Sequence, residues 1–157
     1  MHYVFALAVG IGFVAGLRSM TAPAVVSWAA HLGWLNLEGS RLAPMGSTAA
    51  VAIWSILALI EYVVDQLPTT PKRTALGPLV ARIVMGGLCG ACLCISENQS
   101  PWVGAVLGAI GGVMGAYAGY EARKGLVKSL NVKDAFVAIP EDLVAIGLGT
   151  LIVWVLR

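Results

Sequence analysis

The sequence predicts an all-α integral membrane protein with about five transmembrane helices, and three observations carry that fold class. Hydrophobic residues make up 59% of the 157, and charged residues only 11%. The mean hydropathy is +0.85. The apolar residues also fall in continuous runs, without the period-2 alternation of a membrane barrel. Soluble domains carry about 25% charged residues, and a chain of this size has no interior large enough to hide the apolar excess. That balance excludes a disordered chain, a nucleic-acid-binding domain and an ordinary soluble enzyme. Residues 1–157 read as a single transmembrane domain.

The first element is the least regular. Residues 3–17 are apolar, then Arg18-Ser19-Met20-Thr21-Ala22-Pro23 intervenes, and a second apolar piece runs through Ala30. One straight helix over 3–30 would be about 42 Å long, more than a bilayer core of about 30 Å needs. Pro23 lacks an amide hydrogen and biases Ala22 away from helical geometry. The expectation is a helix broken near Arg18 to Pro23, with Ser19 or Thr21 capping the second half. A single tilted, kinked span is the simpler alternative. Met1-His2-Tyr3 supplies no basic start, and Arg18 interrupts the apolar run, so a cleaved signal peptide is not expected.

Four further spans follow at roughly 45–67, 77–95, 102–121 and 139–156. Pro44, the Pro68 to Arg73 loop, Asn98 to Pro101, and Lys128 to Asp134 bound them. Lysine and arginine set the orientation. Lys72 and Arg73 fall in one loop, and Arg123, Lys124, Lys128 and Lys133 in another, against only Arg41 and Arg157 on the opposite side. Five spans then place the N-terminus in the cytoplasm and the C-terminus outside. A re-entrant first segment would instead move the N-terminus outside. Leu79-Val80-Ala81 after Pro78 and Leu143-Val144-Ala145 after Pro140 form a weak echo of two related hairpins. Short apolar matches of this kind also arise by chance in such a composition.

Ionisable residues inside spans are costly and ordinarily face a partner or a water-filled cavity. Glu61 and Asp65 share one helix face, four residues apart. Arg82 lies about one turn into its span at similar depth, and Glu141 and Asp142 open the last span on the same side. Together they could form one cytoplasm-facing polar cluster. The plainer reading of Glu141 and Asp142 is complementation of a helix dipole. Arg18, beside free amide groups at a half-helix start, suits either an anion contact or a fixed pair with an intramembrane acid. The candidate substrate- or ion-binding set is therefore Arg18, Ser19, Thr21, Glu61, Asp65, Arg82, Glu141 and Asp142. Glu121 reads as interfacial, and Tyr117 and Tyr120 as aromatic-belt residues.

Gly104, Gly108 and Gly112, and Gly111, Gly115 and Gly119, recur at steps of four. Gly86, Gly90, Gly10 and Gly16 extend the theme. Such faces allow backbone-to-backbone helix packing, within a protomer or across a dimer seam. They are not a phosphate loop, having no preceding strand and no following Lys-Ser or Lys-Thr. Cys89, Cys92 and Cys94 read as small packing residues, since no second pair or nearby histidine completes a metal site. His2 and His31 suggest no ligand pair, and Ser19, Ser27 and Ser55 lack a histidine for a triad. Neither a metal, a cofactor nor an enzymatic activity is expected.

Gly16-Leu17-Arg18-Ser19-Met20-Thr21-Ala22-Pro23-Ala24, followed by Glu61, Asp65 and Pro68, resembles a family of small bacterial membrane proteins, domain-of-unknown-function family 4126. The resemblance extends over nearly the whole chain, through the glycine-rich fourth span to Glu141-Asp142-Leu143-Val144-Ala145-Ile146-Gly147. It implies a bacterial inner-membrane location and a multi-span helical fold. It brings no established activity, so no residue role is carried over.

Two functions fit these residues. The first is a small transporter or channel, favoured as a homodimer, that moves a small solute, an anion included, in a proton- or cation-linked way. The second is a non-transporting scaffold or accessory subunit with purely structural ion pairs. The partners expected are the lipid bilayer, a second copy and a small solute or ion, with no nucleic acid. Sorted by place, loops and termini hold eight basic and three acidic groups, while spans or their edges carry a net charge of −3. That acidic interior leans the reading toward cations or protons.

Overall fold

Local signals in the sequence explain where the helices start and stop. A computed structural model describes residues 3–67 and 69–157. Met1, His2 and Pro68 lie outside the described residues, and with them the His2 and Pro68 readings above. Six α-helices are described: α1 (Tyr3–Leu17), α2 (Thr21–His31), α3 (Thr48–Val64), α4 (Leu76–Ser96), α5 (Pro101–Leu130) and α6 (Asp134–Val155). Pro101 starts α5, where its missing amide hydrogen leaves no intrahelical bond unmade. Asn131, with φ of 49°, ends α5 in the left-handed conformation that asparagine tolerates. Ser47 caps α3, its hydroxyl accepting from the Ala50 amide at 3.1 Å. Ser47→Ala is expected to cost about 1 kcal/mol, read as a lower unfolding midpoint in detergent.

The helices pack around α1. Tyr3 reaches Glu97, at the end of α4, across 3.5 Å. Further along, the Gly16 carbonyl accepts from Arg82 Nε, near the start of α4, at 2.9 Å. Thus α1 and α4 run antiparallel, and α5 packs against both. After Leu17 the chain does not continue onward. It turns through Arg18 to Met20 and comes back as α2, alongside α6, where Val25 lies against Gly149. The returning chain places the Asn36 amide 3.1 Å from Ser96 Oγ and the Trp34 ring 5.5 Å from the Arg157 guanidinium. Tyr3, Asn36, Ser96 and Arg157 therefore share one end of the bundle, here called the tryptophan end.

This geometry corrects the sequence reading in several places. The break falls at the expected residues, but the first segment is a helical hairpin, so Tyr3 and Arg157 lie at the same end and not at opposite ones. Among the described residues three helices, α4, α5 and α6, are long and apolar enough to cross a membrane, not five. The apolar helices α1 and α3 have only 15 and 17 residues, or about 22 and 26 Å at 1.5 Å per residue. The supposed loop over 122–138 is mostly helix. α5 runs on to Leu130, and α6 begins at Asp134. The last three turns of α5 carry Glu121, Arg123, Lys124 and Lys128. Glu141 and Asp142 consequently sit two turns inside α6 and do not open it, which removes the dipole reading.

The glycines explain how a 15-residue helix fits inside the bundle. A Cβ on Gly86 would lie 2.5 Å from the Gly108 carbonyl oxygen, and one on Gly112 would lie 2.7 Å from the Arg82 carbonyl oxygen. A Cβ on Gly16 would come within 2.6 Å of Gly115 Cα. The helices α1, α4 and α5 thus meet backbone to backbone. These glycine faces are packed against one another within the chain. Around this knot, Leu59, Val63, Val106, Phe136, Leu143 and Leu151 point outward among many exposed apolar side chains of α3 to α6. That is the surface of a membrane protein. The tripeptides Leu79 to Ala81 and Leu143 to Ala145 fall in α4 and α6, which run in the same direction.

Candidate functional site

The turn between α1 and α2 brings the ionisable residues together at the end opposite the tryptophans. Arg18 is completely buried. Its Nη1 pairs with Asp65, the residue that flanks the C-terminus of α3, and its Nε faces Asp142 of α6. The Tyr62 ring lies 5.8 Å from the guanidinium carbon, close enough for a cation–π contact. Nη2 of Arg18 has no hydrogen-bond partner among the described residues. One buried cation is therefore shared by two carboxylates drawn from two other helices.

Glu61 does something different. Its Oε1 accepts from the Ser19 amide at 2.9 Å and from Ser19 Oγ at 2.7 Å, and its Oε2 accepts from the Met20 amide at 2.8 Å. The N-terminus of α2 is thus capped by a carboxylate from α3, which suits the positive end of a helix dipole. Neither Ser19 nor Thr21 caps it from within, contrary to the sequence expectation. Met20 is the flanking residue and makes no side-chain capping bond. Ser19 Oγ serves Glu61, and Thr21 Oγ1 bonds the Tyr62 hydroxyl at 2.8 Å. The amides of Ser19 and Met20, just before α2, are thus taken by Glu61.

Arg82 is also buried, and its hydrogen-bond partners are neutral carbonyls. Nε donates to the Gly16 carbonyl and Nη1 donates to the Pro78 carbonyl at 3.2 Å. No carboxylate of the described residues lies at ion-pair distance from it. Glu141 turns instead to Arg73, with Arg73 Nη2 2.6 Å from Oε2, and Arg123 Nη1 stands 3.7 Å from the same oxygen. Arg123 in turn holds Asp134 through two bonds of 2.6 and 2.7 Å. All eight sequence-predicted residues therefore lie around one end of the bundle. They form four adjoining groups there and not a single cluster.

Arg73 and Arg123 were missed as part of this site, having been read only as loop cations. Arg73 is 7% exposed and joins the 65–75 connection to α6. The available signal was residue type. Both are arginine among neighbouring lysines, and the planar guanidinium fork is suited to bidentate carboxylate pairing. The pairing also changes the charge picture. Asp65, Asp142, Glu141 and Asp134 are each held by an arginine and Glu61 by amides, so the acidic character read from the sequence is spent internally.

A cavity of about 430 Å³ opens beside these groups. Asp65, Arg82, Leu67, the stretch Thr70 to Arg73 and the polar end of α5 line it. Cys89, Cys92 and Cys94 lie elsewhere, buried in α4 with free thiols. Cys94 Sγ packs where a side chain on Gly104 would stand, as a small space-filling residue does.

No curated protein and no solved structure matches the chain. The family model described as "Domain of unknown function (DUF4126)" matches residues 5–155, nearly the full length, and the chain belongs to that family.

Proposed function

We propose that this chain is a small membrane transporter or channel, working as a homodimer in a bacterial inner membrane. The observation that carries the reading is the wholly buried Arg18, placed at the turn of a helical hairpin and held by Asp65 and Asp142, with Asp65 also on the wall of a cavity. A charged group this deep is expensive in a membrane and marks a pathway more often than a support. Interrupted helices beside such groups are also a recurring way of building solute sites. The basic end of the bundle faces the cytoplasm by the positive-inside rule, and Tyr3 and Arg157 then face outward. The cavity is the cytoplasmic vestibule, from which a small solute reaches Asp65. Exchange of Asp65 and Asp142 on Arg18 provides the proton- or cation-linked step.

The test is flux into proteoliposomes, with entrapped pH-sensitive dye for protons and labelled phosphate for the solute. Asp65→Asn keeps the side-chain shape and removes the charge. It is expected to abolish flux while the protein still reconstitutes. Flux equal to that of the parent chain would remove Asp65 from the pathway.

A scaffold function is the second reading, and Glu61 favours it. Both of its oxygens are committed to three donors at the hairpin turn, an arrangement that locks structure. On that reading Glu61→Gln lowers the unfolding midpoint, and the parent chain carries no flux for any variant to lose.

A further inference from the structure

We propose that the cavity at the Arg82 end binds a phosphate-bearing anion. The inference goes beyond the transport reading, because it concerns binding and holds whether or not the ligand crosses the membrane. Six cationic side chains line the cavity, Lys72, Arg73, Arg82, Arg123, Lys124 and Lys128, against two carboxylates, Asp65 and Asp134. Both carboxylates are engaged, Asp65 by Arg18 and Asp134 by Arg123. Arg73 and Arg123 are balanced in turn by Glu141 and Asp134.

Four cations remain without a carboxylate at ion-pair distance among the described residues: Lys72, Arg82, Lys124 and Lys128. Three of them are exposed lysines, which alone would signify only the basic end of a membrane protein. Arg82 is different. It is 4% exposed, and it spends two of its nitrogens on neutral carbonyls. Taking an unpaired guanidinium out of water is costly, and a counter-ion in the adjoining cavity removes that cost.

The shape of the donor set selects the anion. A guanidinium fork with several ammonium groups around it suits a compact anion with many oxygens. The cavity volume leaves room for a phosphate ester with water. Arg123 also borders a second cavity of about 550 Å³, between α5 and α6, whose walls include Phe13, Leu126, Phe136 and Val144. A phosphate held at the Arg82 end could therefore belong to a soluble compound or to the headgroup of an anionic lipid.

The experiment uses the whole chain, purified in an uncharged detergent and stripped of lipid. Pyrophosphate is titrated calorimetrically, and phosphatidylglycerol and phosphatidylcholine are scored by native mass spectrometry. Binding of pyrophosphate identifies a soluble phosphate compound. Binding of phosphatidylglycerol but of neither pyrophosphate nor phosphatidylcholine identifies a lipid headgroup. In either case Arg82→Lys and the pair Lys124→Gln/Lys128→Gln are each expected to weaken binding about tenfold. Arg41→Gln, at the tryptophan end, leaves it unchanged. The two lysines are exposed on the polar end of α5, so their replacement tests the site even where Arg82→Lys fails to fold. The proposal is overturned if neither pyrophosphate nor phosphatidylglycerol binds, if the lysine pair leaves affinity unchanged, or if Arg41→Gln weakens it equally.

Discussion

Gly108→Ala is expected to prevent stable assembly of the bundle, or to cost about 3 kcal/mol or more where the protein still folds. A Cβ at this position would lie 2.8 Å from the Gly86 carbonyl carbon, closer still to its oxygen, and 3.2 Å from Gly90 Cα. Every one of those atoms is backbone. No rotamer change relieves the overlap, so α4 and α5 must move apart. Gly12 uses the same Gly108 backbone from the other side, and separation therefore disturbs α1 as well. The contrast is with Gly125 in α5 and Gly147 in α6, where a Cβ would meet nothing within 4 Å. Alanine at either is expected to be neutral or to stabilise by up to about 1 kcal/mol through helix propensity. Unfolding midpoints of the three variants in one detergent provide the check. Equal behaviour at Gly108 and Gly125 would contradict the three-helix contact.

Arg18→Met should be the most damaging change of a charged residue, costing about 3–5 kcal/mol. The methionine fills much of the volume but leaves Asp65 and Asp142 facing one another without a cation. Both carboxylates are largely buried, at 14% and 13% side-chain exposure, so water cannot take over the role. The charge explanation has a direct control. Asp65→Asn combined with Asp142→Asn, added to Arg18→Met, removes the repulsion and is expected to recover most of the loss. A triple variant no more stable than Arg18→Met alone would show that the guanidinium matters through packing and not through charge.

Much of the fold was legible because hydrocarbon imposes simple rules. Long apolar runs with charged boundaries marked α4, α5 and α6, and the residue sequence from Arg18 to Pro23 marked the break. What could not be read was the direction the chain takes after the break. A straight continuation and a reversal have the same local signals, and the choice is made by distant partners such as Ser96 for Asn36 and Gly149 for Val25. Helix ends failed for a related reason. Lys124 and Lys128 look like loop residues to a hydropathy count, yet both lie within α5.

The site was legible in membership and not in arrangement. An arginine and several acids inside apolar sequence are conspicuous, so Arg18, Glu61, Asp65 and Asp142 stood out. Their pairing depends on which helices are neighbours, and that was not available from spacing. Arg73 escaped notice because its sequence surroundings are polar. Burial comes from α6, nearly seventy residues later.

The placement of α1 has a consequence for how the molecule is made. Its surroundings come from α4, α5 and α6, and its Gly16 carbonyl meets Arg82 across 66 residues of chain. When residues 3–31 leave the ribosome, the groove that will hold them has not yet been synthesised. The short hairpin must therefore wait at the membrane until α5 has crossed. Arg18 stays incompletely matched until Asp142, far later in the chain, has been made. The order of synthesis and the order of assembly are thus reversed, and α1, made before α4, α5 and α6, locks into place after them.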